Sequence, residues 1–171
     1  MSTATAAAPS NPVVTTKVTG RRVLRFTSLD EILKDAQQLA SGRVRQLGNW
    51  SLGQATEHLA RAMKMSLDGT TLGRAPLPIR VLLRYVFKKR ILTKGMRPGF
   101  NLKGPFADYI IPGAAYTTDQ GLADLRAGIE RLKREPQRHP HPAFGPLTRE
   151  EWDLLHLRHA ELHLSFFVPQ S

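Results

Sequence analysis

The chain has no cysteine among its 171 residues. That absence excludes a disulfide scaffold, a thiolate zinc finger, an iron–sulfur protein and a cysteine nucleophile. Long apolar runs are missing too. The longest apolar stretch, Ile79–Phe87, is broken by Arg80 and Arg84. It falls far short of the roughly 20 residues that a membrane-spanning helix needs. The N-terminal MSTATAAAPSNPVVTTKV lacks a basic start followed by an apolar core, so it does not read as a secretory signal. A cytoplasmic protein without a transmembrane segment is the expectation. Strand signals are weak, and only Val23–Phe26 could pair. Acidic residues are absent from residues 1–27 and again from residues 72–104.

What is present fits one packed domain. The length alone suggests about one, and 41% hydrophobic with 23% charged residues argues against global disorder. Lys+Arg 25 against Asp+Glu 14 leaves a net charge of +11, which raises the question of an anionic partner. The excess is local. Residues 72–104 carry nine bases and no acid, whereas residues 105–171 carry seven bases and nine acids.

Helical periodicity organises the rest. Ser28-Leu-Asp-Glu31 forms a capping box, and Leu29, Ile32, Leu33, Ala36 and Leu39 follow at helical spacing to a stop at Gly42. Ser51-Leu-Gly-Gln54 opens a second helix whose stripe is Leu52, Ala55, Leu59, Ala62 and Met63, ending at Gly69. A third, basic helix is expected over residues 78–92, with Pro78 in its first turn. Residues 93–117 are rich in Gly and Pro and read as a long irregular connection. A fourth helix spans about Thr118 to Glu135. A fifth starts at the capping box Thr148-Arg-Glu-Glu151 and runs to about Phe167. The expected fold is all-α, an antiparallel bundle. Residues 1–19, rich in Ser, Thr, Ala and Pro, read as a disordered lead.

The histidines carry the chemistry. On the last helix His156, His159 and His163 share a stripe with Trp152, Leu155, Leu162 and Phe166. His159 and His163 are one turn apart, so both imidazoles can point at one centre. His58 sits beside the apolar stripe of the second helix. Two His from one helix and one from another would make a three-His site with open positions, the form suited to a catalytic metal. The plainer account is that such pairs arise by chance and that single core histidines are simply hydrogen-bonded. Against it, three inward imidazoles are costly to bury without partners.

The same residues carry a resemblance. Trp50-Ser-Leu-Gly-Gln-Ala-Thr-Glu-His58-Leu-Ala resembles the tryptophan-led second helix of the DinB/YfiT-like superfamily. His141-Pro-Ala-Phe-Gly-Pro-Leu-Thr-Arg-Glu-Glu-Trp152, followed by His159 and His163, resembles the C-terminal signature of a branch of unknown function with an HPxFGxLTxEEW stretch. The opening Gly20-Arg-Arg-Val-Leu-Arg-Phe26 is similar to that branch's usual start. The similarity covers residues 20–168. It implies a DinB-like four-helix bundle, here with an additional basic helix, holding a divalent metal (Zn, Ni or Fe) on His58, His159 and His163. The branch often has His before the last ligand; this chain has Leu162. The superfamily includes metal-dependent transferases that use low-molecular-weight thiols, and hydrolase-like and isomerase members. Its members are often homodimers.

Other residues around the site have two readings each. His156 could be a fourth ligand or a proton shuttle, or a packing group. Gln54 could bond a metal-held water, or serve only its capping box. His141 could be a general acid or base, or could fix its loop. Trp50, Trp152 and Phe144 read as core anchors, and Glu161 as facing solvent. Arg80, Arg84 and Lys88 repeat every four residues as a positive stripe, and Lys89, Arg90, Lys94, Arg97 and Lys103 follow. Arg84 and Arg97 could hold an acidic small-molecule substrate or thiol cosubstrate at the mouth of a pocket. Residues 93–117 and the His141 loop would wall it. The leading function is a metal-dependent, transferase-like or hydrolase-like enzyme. The rival is a non-catalytic basic module for an anionic membrane or nucleic acid, with a structural His cluster.

Overall fold

A computed structural model describes residues 12–71, 76–99, 111–112 and 116–170. The elements are α1 (Leu29–Ser41), β1 (Val44–Gln46), α2 (Leu52–Asp68), α3 (Leu77–Leu82), a π turn (Leu83–Phe87), α4 (Lys88–Lys94), α5 (Thr118–Arg134), α6 (Arg149–Leu164) and β2 (Phe167–Pro169). The fold is mostly helical with one small antiparallel sheet, in which Val44 faces Pro169 and Gln46 faces Phe167.

Helix starts follow the local chemistry. The Ser51/Gln54 and Thr148/Glu151 capping boxes close completely. At α1 only half the box forms: Ser28 accepts from Glu31 N–H, and the Glu31 carboxylate turns instead to the Thr27 N–H and hydroxyl. A further box, Thr117 with Gln120, starts α5. It has the same Ser/Thr-x-x-Glu/Gln form and lies one residue before the expected start of that helix.

One core gathers α1, α2, α5 and α6. Ile32, Ala36 and Leu39 meet Leu59, Met63, Leu125, Ile129, Leu132, Leu157, Ala160 and Leu164. α2 and α5 approach closely because Gly53 and Gly121 face each other. A Cβ on Gly121 would lie 2.2 Å from Thr56 Oγ1 and 2.4 Å from the Gly53 oxygen. A second cluster holds Met65, Leu92, Phe144, Trp152 and Leu155 and seats α4 against α6. α6 is therefore buried on several faces rather than along one stripe, as a central helix must be. Leu162, expected on that stripe, is only half-buried.

Several expectations change. Val23–Phe26 forms no strand; residues 21–26 are an irregular strap. Its Arg22 makes a two-pronged pair with Asp35 and also donates to the Leu164 carbonyl. The strands lie elsewhere, and the last helix stops at Leu164 because Phe167 enters β2. The basic helix is interrupted by the π turn. Of the lead expected to be disordered, residues 1–11 lie outside the described residues. Residues 12–19 include a 3-10 turn, Thr15–Lys17, and Val13 exchanges two backbone bonds with the Asn49 side chain. The connection expected over 93–117 begins within α4. Residues 100–110, including Lys103, and residues 113–115 lie outside the described residues. Among the described residues, no helix is long and apolar enough to cross a membrane.

Candidate metal centre

α2 brings His58, and α6 brings His159 and His163, to one point. His159 Nε2 lies 2.9 Å from His58 Nε2 and 3.0 Å from His163 Nε2. The three possible ligand atoms all fall within 4.8 Å of one another. The ring planes meet edge to face, at 64° to 81°, so the imidazoles fan around the shared centre instead of stacking. Nitrogens about 2.0–2.1 Å from a tetrahedral zinc stand about 3.3 Å apart, close to the two spacings between rings here.

The electrostatics suit a cation. Burial, then the neighbouring imidazoles, hold His159 well below the ordinary histidine range. Burial, then His58 and the Arg21 guanidinium, do the same for His163. Neutral imidazole is the metal-binding form. A neutral ring has one N–H, so hydrogen bonds alone match three converging Nε2 atoms poorly. A shared ion would satisfy all three lone pairs. This three-histidine group could hold a metal ion.

Trp50 closes one side. Its ring stacks on His163, with centroids 5.2 Å apart and planes at 15°, and lies 4.8 Å from the His58 ring. It belongs to neither core cluster, contrary to its reading as a core anchor. Its place just before the Ser51 cap sets it beside His58 in the second turn of α2. The strap braces the C-terminal turn of α6, the one that bears His163. Arg21 donates to the Ser165 hydroxyl and the Leu162 carbonyl, on either side of His163, and its guanidinium stacks on Phe166.

Glu161 is buried, not solvent-facing. It accepts from Phe26 N–H at 2.7 Å and pairs with the buried Arg158, which donates to the Phe26 carbonyl. Periodicity could not reveal this pair, because charges at those positions read as surface. Its partner is the backbone of a segment more than 130 residues away.

The remaining candidates have hydrogen-bond partners of their own. His156 is buried, stacks on Trp152 and lies 3.1 Å from Ser66 Oγ. That hydroxyl donates its proton to the Met63 carbonyl, so His156 Nε2 is the donor to Ser66. Its Nε2 is thereby committed, and burial pushes its pKa down to about 3. His141 Nδ1 accepts the backbone N–H groups of Ala143 and Phe144. Its backbone also bridges to Gly145, and burial lowers its pKa to about 4. It fixes the turn before α6. Gln54 serves the α2 capping box.

Arg84 donates to the Phe144 and Pro146 carbonyls, and Lys88 pairs with Glu151. The stripe read as a positive surface is thus the side on which the basic segment docks. Arg97 is exposed beyond α4. The groove beside this segment is lined by Leu77, Arg80, Val81, Arg84, Tyr85 and residues 144–146, and by none of the three histidines.

A family model described as a protein of unknown function (DUF1569) matches residues 18–170. The chain belongs to the DUF1569 family. No curated protein and no solved structure matches it. The matched span takes in the strap, both helices of the DUF1569 chain that bear the cluster, and both strands of the small sheet.

Proposed function

We propose that this DUF1569 chain is a divalent-metal-dependent enzyme of DinB/YfiT-like build, a four-helix bundle of α1, α2, α5 and α6. The observation that supports it is the convergence of His58, His159 and His163 Nε2 atoms from two helices onto one point. When bound, a divalent ion supplies Lewis acidity and lowers the pKa of a coordinated water or thiol. Imidazole ligands suit zinc, nickel or iron.

The chain's own groups hold and orient. Burial keeps His159 and His163 neutral. Trp50 fixes the His163 ring plane and excludes water from one side. Three uncharged ligands leave an ion's charge uncompensated, which favours an anionic reactant such as a thiolate. Thiol transfer to a small electrophile is the leading reaction, and hydrolysis follows. The absence of cysteine requires the thiol to come from outside the chain. Of the stripe that the rival basic-module reading used, Arg84 and Lys88 are engaged internally.

The test is metal analysis of protein purified without a His-tag, followed by activity with thiols and electrophiles. One ion per chain and metal-dependent thiol consumption are expected. Failure to retain any of zinc, nickel or iron overturns the reading.

A further inference from the structure

The segment from α3 through α4 is amphipathic in the reverse of the usual sense. Its polar stripe faces the protein: Arg80 lies over Gly145, Arg84 takes two carbonyls of the 144–146 turn, and Lys88 pairs with Glu151. These residues are four apart, and the wide π turn between them keeps such steps in line. The same step therefore aligns two other rows, Leu77–Val81–Tyr85–Lys89 and Leu82–Val86–Arg90. The apolar members of both rows are exposed, Tyr85 at 75% and Leu77 at 67%. A contiguous exposed apolar patch on a folded domain marks an interaction site.

We propose that this outward face docks on an anionic lipid surface. Charge selects that occupant. Each apolar row runs into an exposed base, Lys89 or Arg90, and Lys94 and Arg97 are exposed just beyond. Among the described residues none of these four pairs with a carboxylate. No acid occurs between residues 72 and 104 to answer them. A second copy seated on this face would set the same bases against their own counterparts. A nucleic acid would meet mainly hydrocarbon. A phosphatidylserine-containing bilayer offers both complements: acyl chains for Leu82, Tyr85 and Val86, and headgroup charge for the flexible Lys and Arg ends. The contacts of Arg84 and Lys88 anchor the segment in that presentation.

The test is sedimentation of the full chain with vesicles of phosphatidylcholine alone or with 30% phosphatidylserine, at low and high salt. Binding is expected only with phosphatidylserine and should weaken with salt. The double variant Lys89→Glu/Arg90→Glu should lose about tenfold or more in partitioning, since each base near such a surface contributes several-fold. Leu82→Asp/Val86→Asp should lose as much, with an unchanged circular dichroism spectrum and unchanged metal content. The last readout keeps this result separate from the fate of the three-histidine reading. No binding to phosphatidylserine vesicles by the folded protein overturns the proposal. So does a stable dimer that Leu82→Asp/Val86→Asp dissociates, or binding to duplex DNA that these apolar substitutions leave intact.

Discussion

The indole of Trp50 lies nearly parallel to the imidazole of His163, 15° between planes and 5.2 Å between centroids. A ligand ring that can rotate loses its aim, so an aromatic wall acts on metal affinity without touching the ion. Trp50→Ala should weaken metal binding by roughly 10–100-fold, the range for outer supports of ligand histidines. Trp50→Phe, which keeps a stacking face, should recover most of it. Competition against a chromophoric chelator measures both. Equal affinity in Trp50→Ala and the parent would show that the stacking is incidental.

His159 stands between the other two histidines of the cluster, within 3.0 Å of each. His159→Ala and His163→Ala should each remove stoichiometric metal. His156→Ala should keep it but lose about 2 kcal/mol of stability, from a buried cavity and a disrupted Ser66 bond. Elemental analysis and urea unfolding on the same samples separate the two effects. Stoichiometric metal in His163→Ala would refute the ligand assignment.

Stability should fall on mild acidification. His156 titrates at about 3 in the fold, against about 6.5 when unfolded. Between those values the unfolded chain holds the extra proton, so stability rises with pH there. The contribution of His156 is complete above about pH 6.5 and drops by about 1.4 kcal/mol per pH unit below it. His141, lowered to about 4 by burial, acts in the same direction. Metal-free protein unfolded in urea at pH 7.5, 6.0 and 5.0 should show the decline, and His156→Gln should show a shallower one. A profile identical in the two proteins would count against a neutral buried His156.

Gly121→Ala should be costly for its size. The added methyl would strike Thr56 Oγ1 and the Gly53 carbonyl, and the latter, being backbone, cannot yield without parting α2 from α5. A loss of about 1–3 kcal/mol is expected from such overpacking. Gly42→Ala, with nothing nearer than 3.9 Å, serves as the control. Thermal unfolding of the two variants should differ by several degrees; equal midpoints would mean that the helices separate easily.

The parts of this molecule that depend on short-range chemistry were legible. Ser51 with Gln54 and Thr148 with Glu151 marked helix starts by spacing alone, and His159 with His163 marked a shared face. The cluster itself needed the second helix, and His58 was placed by its position beside that helix's stripe and by the resemblance of its surrounding motif. What escaped depends on distant partners. Val44 pairs with Pro169 across the whole fold, and nothing local distinguishes those three-residue strands from loop. Glu161 and Arg158 look like surface charges until Phe26 is laid against them. Arg84 and Lys88 form the stripe that spacing described, but amphipathicity does not say which side of a helix meets the protein. Here loop carbonyls and Glu151 draw the polar side inward.

Order of synthesis gives the strap a further meaning. Phe26, Arg22 and Arg21 leave the ribosome early, whereas Glu161, Leu164 and Ser165, to which they bond, emerge well over a hundred residues later. His58 waits 101 residues for His159. Between the completion of α5 at Arg134 and the arrival of α6, the α1–α2–α5 layer has its inner face uncovered. Metal captured by His58 alone would be weakly held. A three-histidine ion site can therefore be complete only after α6 arrives, and a chain stalled before residue 149 should be free of metal.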